Sequence, residues 1–238
     1  MRGSLRSRLR HRRHAVGAGE GLAALAERVT SASIVDAMGR LHRHRCHILD
    51  LVSPDPKRHL FGPAVTILFF PSCSDALDPD QHSFGRLFYE AVGEQPAGKV
   101  LVLASNGHPE ASVGGGTKLS RLHNHGLAGV ITDARLRDFD ELRRFDFAAY
   151  CQGEATRWGG DVVTPFQANV PVVIDRVGVM PGQYVYADSA GAVIIPEPQV
   201  REVLETALTI ESDDARFIGE IRAENPEAVV RGEGAGEA

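Results

Sequence analysis

The sequence predicts an α/β domain with a parallel strand pair at its centre, and three observations carry this. GKVLVLA at 98–104 and AGVIT at 128–132 are apolar runs of strand length. TKLSRLHNH between them has helical spacing and ends at Gly126, a residue suited to a left-handed C-cap. A strand, helix and strand of this length call for parallel pairing through a right-handed crossover.

The other elements follow in chain order. Leu22, Leu25 and Val29 have helical spacing, and a Thr-Ser-Ala-Ser break then offers Ser31 or Ser33 as the cap of a second helix bearing Ile34, Val35, Met38 and Leu41. GPAVTILFF at 62–70 is a buried strand. Residues 71–98 form a long polar connection whose FGRLFYEAV segment makes a helical turn or two, and connections of this length are functional or mobile as a rule. A helix starts near Asp138, and strands follow at 147–151, 170–174, 184–188 and 191–196. Pro-Gly at 181–182 and Ala-Gly at 190–191 make the turns. Pro198 opens a helix with Val200, Val203, Leu204, Ala207 and Leu208 on its apolar side, and a second helical stretch runs through 214–223. Residues 1–19 are expected to be a disordered basic arm, 20–224 a single domain, and 225–238 a disordered tail.

Composition narrows the function classes. The 238 residues carry 26 basic and 31 acidic side chains. Six arginines fall in residues 1–14, so the rest of the chain has 20 basic against 31 acidic groups. An acidic body of this kind does not bind nucleic acid through a general basic surface. The arm reads as a basic extension, with a faint likeness to an organelle presequence. The longest apolar run, VTILFF, is far short of the roughly 18 residues of a membrane span. Cys46, Cys73 and Cys151 are scattered, which points to reduced thiols and a cytoplasmic protein.

Two segments carry candidate chemistry. Gly114-Gly115-Gly116-Thr117-Lys118 leads into a helix, where backbone N–H groups and the helix dipole suit a carboxylate or phosphate; the same glycines would also serve a plain tight turn. Asp133-Ala134-Arg135-Leu136-Arg137-Asp138 follows a strand. Arg137 could grip a carboxylate and Asp138 hold a hard cation, or Asp138 could cap its own helix in a near capping box with Glu141. Both segments leave carboxyl ends of strands that are expected to be neighbours. The histidines are poorly spaced for zinc; His108 and Glu110 are the ones placed to line a cleft.

Taken in order, TSASIVDAMGR, GPAVTI, the glycine loop, LAGVITDARLRDFDEL, ANVPVVI and PGQYVYADSAGAVIIP resemble the family of regulator of ribonuclease activity A (RraA) and the class II 4-hydroxy-4-methyl-2-oxoglutarate aldolases. The resemblance covers roughly residues 29–210. It implies a swivelling β/β/α domain, assembled as a homotrimer or homohexamer with sites between subunits. It further implies magnesium or manganese at Asp138, pyruvate binding by Arg137, and carboxylate binding by the loop Gly115, Gly116, Thr117 and Lys118. A divalent-metal-dependent lyase follows, one that cleaves a small 4-hydroxy-2-oxo acid to pyruvate or decarboxylates an oxaloacetate-like acid. The alternative is a non-catalytic regulator that occupies a partner enzyme. The chain departs from the aldolase pattern at Gly116, where an acidic residue is usual; Glu110 or His108 could replace it. Asp175-Arg176 stand where two glycines are common. Lys118 could also act as a Schiff-base amine.

Overall fold

The computed structural model describes residues 21–41, 45–73 and 75–231. The basic arm over 1–19, His42 and His44 lie outside the described residues. In chain order the elements are α1 (Leu22–Ala26), α2 (Ser31–Leu41), β1 (His47–Ile48), β2 (Leu60–Pro71), α3 (Phe84–Val92), β3 (Val100–Ala104), β4 (Ser112–Gly114), α4 (Gly116–Asn124), β5 (Gly129–Thr132), β6 (Arg135–Leu136) and α5 (Phe139–Leu142). They continue with β7 (Ala148–Tyr150), β8 (Val163–Ala168), β9 (Val172–Ile174), β10 (Val177–Val179), β11 (Tyr184–Asp188), β12 (Gly191–Ile195), α6 (Val200–Ala223) and α7 (Pro226–Val230).

One mixed sheet dominates, with strand order β1-β12-β11-β2-β3-β5-β7. The predicted parallel unit is present: β3 pairs with β5 from Val100 opposite Gly129 to Leu103 opposite Thr132. β2 is long enough to serve three partners. Its first residues pair antiparallel with β11, its middle runs parallel to β3, and its end pairs antiparallel with β8.

Alternation along the central strands divides the core. Val65, Ile67, Phe69, Leu101, Leu103 and Val130 face α3, α4 and α5. Ala64, Val100, Val102 and Ile131 face the small β9–β10 sheet, packing on Val172, Ile174, Val177 and Val179. Small sheet, large sheet and helices stack as the expected β/β/α layers. A third apolar cluster seats α1, α2 and α6 on Tyr186, Val193 and Ile195. Among the described residues no helix is long and apolar enough to cross a membrane.

Several local expectations are corrected. The cap of α2 is Thr30, which accepts from Ser33 N at 3.2 Å while Ser33 Oγ accepts from Thr30 N at 3.1 Å. Ser31 instead donates through both N and Oγ to the buried carboxylate of Asp188. The 71–98 connection is built into the core, because α3 is capped by Ser83 and buries Phe84, Leu87, Phe88, Ala91 and Val92. α6 is one continuous helix of 24 residues that takes in the second stretch expected at 214–223, where Arg216 pairs with Asp213 and Glu220 about one turn away on either side. Of the unstructured tail expected over 225–238, the first residues carry α7, started by Asn225 Oδ1 accepting from Glu227 N at 3.1 Å around Pro226, and 232–238 lie outside the described residues.

Candidate active site

β4 and β6 form a short parallel ladder, with Ser112 opposite Arg135 and Gly114 opposite Leu136. The pairing runs on, since Arg137 N donates to Gly114 O at 2.9 Å. Main-chain bonds thus fix the glycine loop beside Arg137 and Asp138, as the sequence predicts.

The glycines are required by proximity. Gly115 has an extended backbone, and a Cβ there would lie 2.7 Å from Asp138 Oδ2 and 3.0 Å from Arg137 Cβ. A Cβ on Gly116 would lie 2.9 Å from Glu141 Cγ. The close approach lets Gly116 N donate to Asp138 Oδ2 at 3.0 Å. At Thr117 and Lys118, the next N–H groups of the α4 first turn, no protein acceptor is engaged among the described residues. They are free donors at the positive end of a helix dipole.

Asp138 does not cap its own helix. Its backbone is left-handed (φ 63°), and its side chain makes no capping bond to α5. Glu154 takes that role, with Oε1 accepting from Phe139 N at 2.9 Å. The carboxylate of Asp138 is released to face α4. Arg137 Nε stands 4.0 Å from Asp138 Oδ1, with the side chains 38% and 46% exposed. A pair this open is weak, so both groups are available to a ligand.

The structure sorts the other candidates. Thr117 is exposed. Lys118 places its ammonium 5.4 Å from the centroid of the Phe84 ring on α3 and forms no ion pair among the described residues. Desolvation, then the Arg121 charge, pull its pKa down. His108 and Glu110 pair with each other at 3.6 Å. The carboxylate side chain packed against Gly116 belongs to Glu141, which also pairs with Arg144 at 3.1 Å. Glu141 and Glu154 were not singled out as site residues from sequence. Glu141 lies one helical turn past Asp138 and could have been flagged; Glu154 is brought in by the bridge between Leu136 and Glu154 and has no local signal. Cys151 is buried and its thiol is pushed up to about 11 by desolvation, so it is no nucleophile.

The donor set bears on the metal expected at Asp138. Among the described residues no three His, Cys, Asp or Glu side chains converge on one point. Magnesium keeps several waters and takes one or two carboxylates. Asp138 offers that, with Oδ2 held by Gly116 and Oδ1 facing outward beside Arg137. The residues fit a largely hydrated hard cation, and not a soft or imidazole-bound one.

Comparisons with known proteins agree with this architecture. The RraA-like family model, described as Aldolase/RraA, matches residues 31–194. Protein DlpA of Legionella pneumophila is 24% identical over 161 residues, 66% of this chain and 25% of that one. The 4-hydroxy-4-methyl-2-oxoglutarate aldolase of Thermus thermophilus is 30% identical over 117 residues, 47% of this chain and 68% of that one. The chain spans only a quarter of DlpA, and 59% of a Halalkalibacterium halodurans relative that is 27% identical. In fold, the chain superposes on Streptomyces coelicolor RraAS2, a member of the RNase ES inhibitor RraA protein family, with a TM-score of 0.71 at 24% identity, covering 84% of this chain and 97% of that one. A Pseudomonas syringae pv. tomato structure gives a TM-score of 0.74 at 22% identity, covering 88% and 92%.

Proposed function

The chain belongs to the RraA-like family, and from that premise we propose that it is a divalent-metal-assisted lyase acting on small 2-oxo acids. The substrate class is a 4-hydroxy-2-oxo acid cleaved to pyruvate, or an oxaloacetate-like acid that loses CO2. The observation that carries the reading is the convergence of free N–H donors at Thr117 and Lys118 with the Arg137 guanidinium and the Asp138 carboxylate.

Retro-aldol cleavage breaks the bond between C3 and C4 and leaves its electron pair as a pyruvate enolate. The substrate carboxylate sits on the α4 N–H groups, and Arg137 donates to the carbonyl oxygen that gains negative charge. Asp138 would hold magnesium or manganese through water, and the ion would supply Lewis-acid stabilisation of that oxygen. The 4-hydroxyl proton passes to a water held by the Asp138 side, and protonation at C3 completes pyruvate. Gly116 N–H keeps the carboxylate aimed throughout. We place the protein in the cytoplasm, in keeping with its unpaired cysteines, and expect a homotrimer or homohexamer.

The test is pyruvate release by the full chain with magnesium or manganese, from oxaloacetate and a panel of 4-hydroxy-2-oxo acids. Activity that disappears in Arg137→Ala and Asp138→Ala supports the reading; a folded protein inert to the whole panel refutes it. The second reading, a regulator that occupies a partner enzyme, has one feature in its favour: Ile218 and Ile221 are half-exposed on the outer half of α6. A stoichiometric protein partner recovered with an inert, metal-free protein would select it.

A further inference from the structure

A cavity opens at the carboxyl ends of β3, β5 and β7, apart from the Arg137–Asp138 site. Its volume is about 750 Å3, within the ~300–1,000 Å3 of small-molecule pockets. Asn106, Asp133 and Gln152, which follow the carboxyl ends of β3, β5 and β7, line one side. Asp175 and Arg176 of the β9–β10 turn line the other. Open α/β sheets bind ligands in this position. Neither the 115–118 loop nor Arg137 and Asp138 contribute to its lining.

Two of the three charges that line this cavity, Asp133 and Arg176, have no ion-pair partner among the described residues. Asp133 Oδ1 accepts from Ser105 N at 2.7 Å, which ties the ends of β3 and β5 together, but among the described residues no cation pairs with it. Asp175 is answered by Arg45 at 3.4 Å. Arg176 has no ion-pair partner among the described residues.

Arg176 is also poorly suited to its backbone. Ile174 and Val177 pair across a two-residue turn, so Asp175 and Arg176 both take positive φ, 42° and 68°. Such turns favour Asn and Gly. Among the described non-glycine residues with positive φ, Arg176 alone is neither Asp nor Asn. Strain of this kind concentrates where a side chain serves a ligand.

We propose that the cavity binds a small zwitterionic α-amino acid, with its carboxylate on Arg176, its ammonium on Asp133, and the side-chain amides of Asn106 and Gln152 around it. With Asp175 turned to Arg45, the carboxylate of Asp133 and the guanidinium of Arg176 are the charges of this lining without an ion-pair partner among the described residues, and together they are complementary to a ligand carrying both opposite charges. A purely anionic acid would satisfy Arg176 and be repelled by Asp133. The site stands apart from the lyase centre and does not depend on that reading.

Calorimetric titration of the full chain with each of the protein amino acids tests this, with propionate and ethylamine as alanine analogues that lack one charge. At least one amino acid is expected to bind, and when alanine binds its two analogues should bind about tenfold or more weakly. Arg176→Gly and Asp133→Asn should each weaken amino-acid binding by about tenfold or more, while Arg137→Ala leaves it intact. Glycine suits a φ of 68°, so Arg176→Gly should melt at a higher temperature even as binding is lost. The proposal is overturned if no amino acid binds, if the single-charge analogues bind equally well, or if Arg176→Gly retains affinity.

Discussion

Asp138 caps a helix other than the one it begins: its Oδ2 accepts from Gly116 N at 3.0 Å, at the start of α4, while α5 takes its own side-chain acceptor from Glu154. The exchange couples two helix N-termini through one carboxylate. It also dictates which substitutions at the site are informative.

Gly115→Ala places a methyl 2.7 Å from Asp138 Oδ2 and 3.0 Å from Arg137 Cβ. The backbone there is extended, so alanine adds no backbone strain and acts by contact alone. We expect a stability loss of about 1–3 kcal/mol and a fall in kcat/KM of about 100-fold, as for a misplaced catalytic group. Chemical denaturation and pyruvate release measure the two. Activity near that of the parent would show that the close approach is not needed.

Asp138→Asn and Asp138→Ala separate charge from geometry. Asparagine tolerates the left-handed backbone and still accepts from Gly116 N, so it should cost under about 1 kcal/mol. Alanine loses the bond and is strained at φ 63°, so it should cost about 1–2 kcal/mol more. Both should lose magnesium binding by calorimetry. Retained metal affinity in Asp138→Asn would remove Asp138 from the metal site.

Gly129 has φ 157°, and a Cβ there would sit 2.0 Å from Ala148 O in the neighbouring strand. Neither backbone can move without breaking the parallel ladder. Gly129→Ala should therefore cost more than about 4 kcal/mol and give insoluble protein. Gly178 in β10, exposed, with open space around it and no left-handed φ, is the control; Gly178→Ala should remain soluble, with a melting point near the parent. Solubility and thermal melts of the two variants check the pair.

The parallel unit and the site were legible because their signals are local. Strand, helix and glycine loop lie within 40 residues, and one β4–β6 ladder brings Arg137 and Asp138 to the loop. β8 was missed because Pro165 interrupts it, and a proline argues against a central strand; here it pairs only with the end of β2. The role of Glu154 depends on a tertiary bridge to Leu136, which no spacing reveals. The place of Lys118 in the loop is legible from sequence, whereas Phe84, 5.4 Å from its ammonium, is supplied by the core position of α3, which no spacing reveals.

Asp133 makes stability depend on pH. Burial pushes its carboxyl above the ordinary 3.8, against the bond from Ser105, and the Asp175 charge adds to the push. The folded chain therefore holds this proton to higher pH than the unfolded chain. Between the two pKa values the native state binds more protons, so stability falls as pH rises from about 4 through the folded pKa, and the loss then persists. Asparagine keeps an acceptor for Ser105 N and has no charge to desolvate. Asp133→Asn should accordingly gain stability over the parent at pH 7, with the difference closing toward pH 4. Urea midpoints across that range measure it. A gap that is constant with pH, or that widens on acidification, would show that Asp133 is as well stabilised in its charged form in the fold as in water.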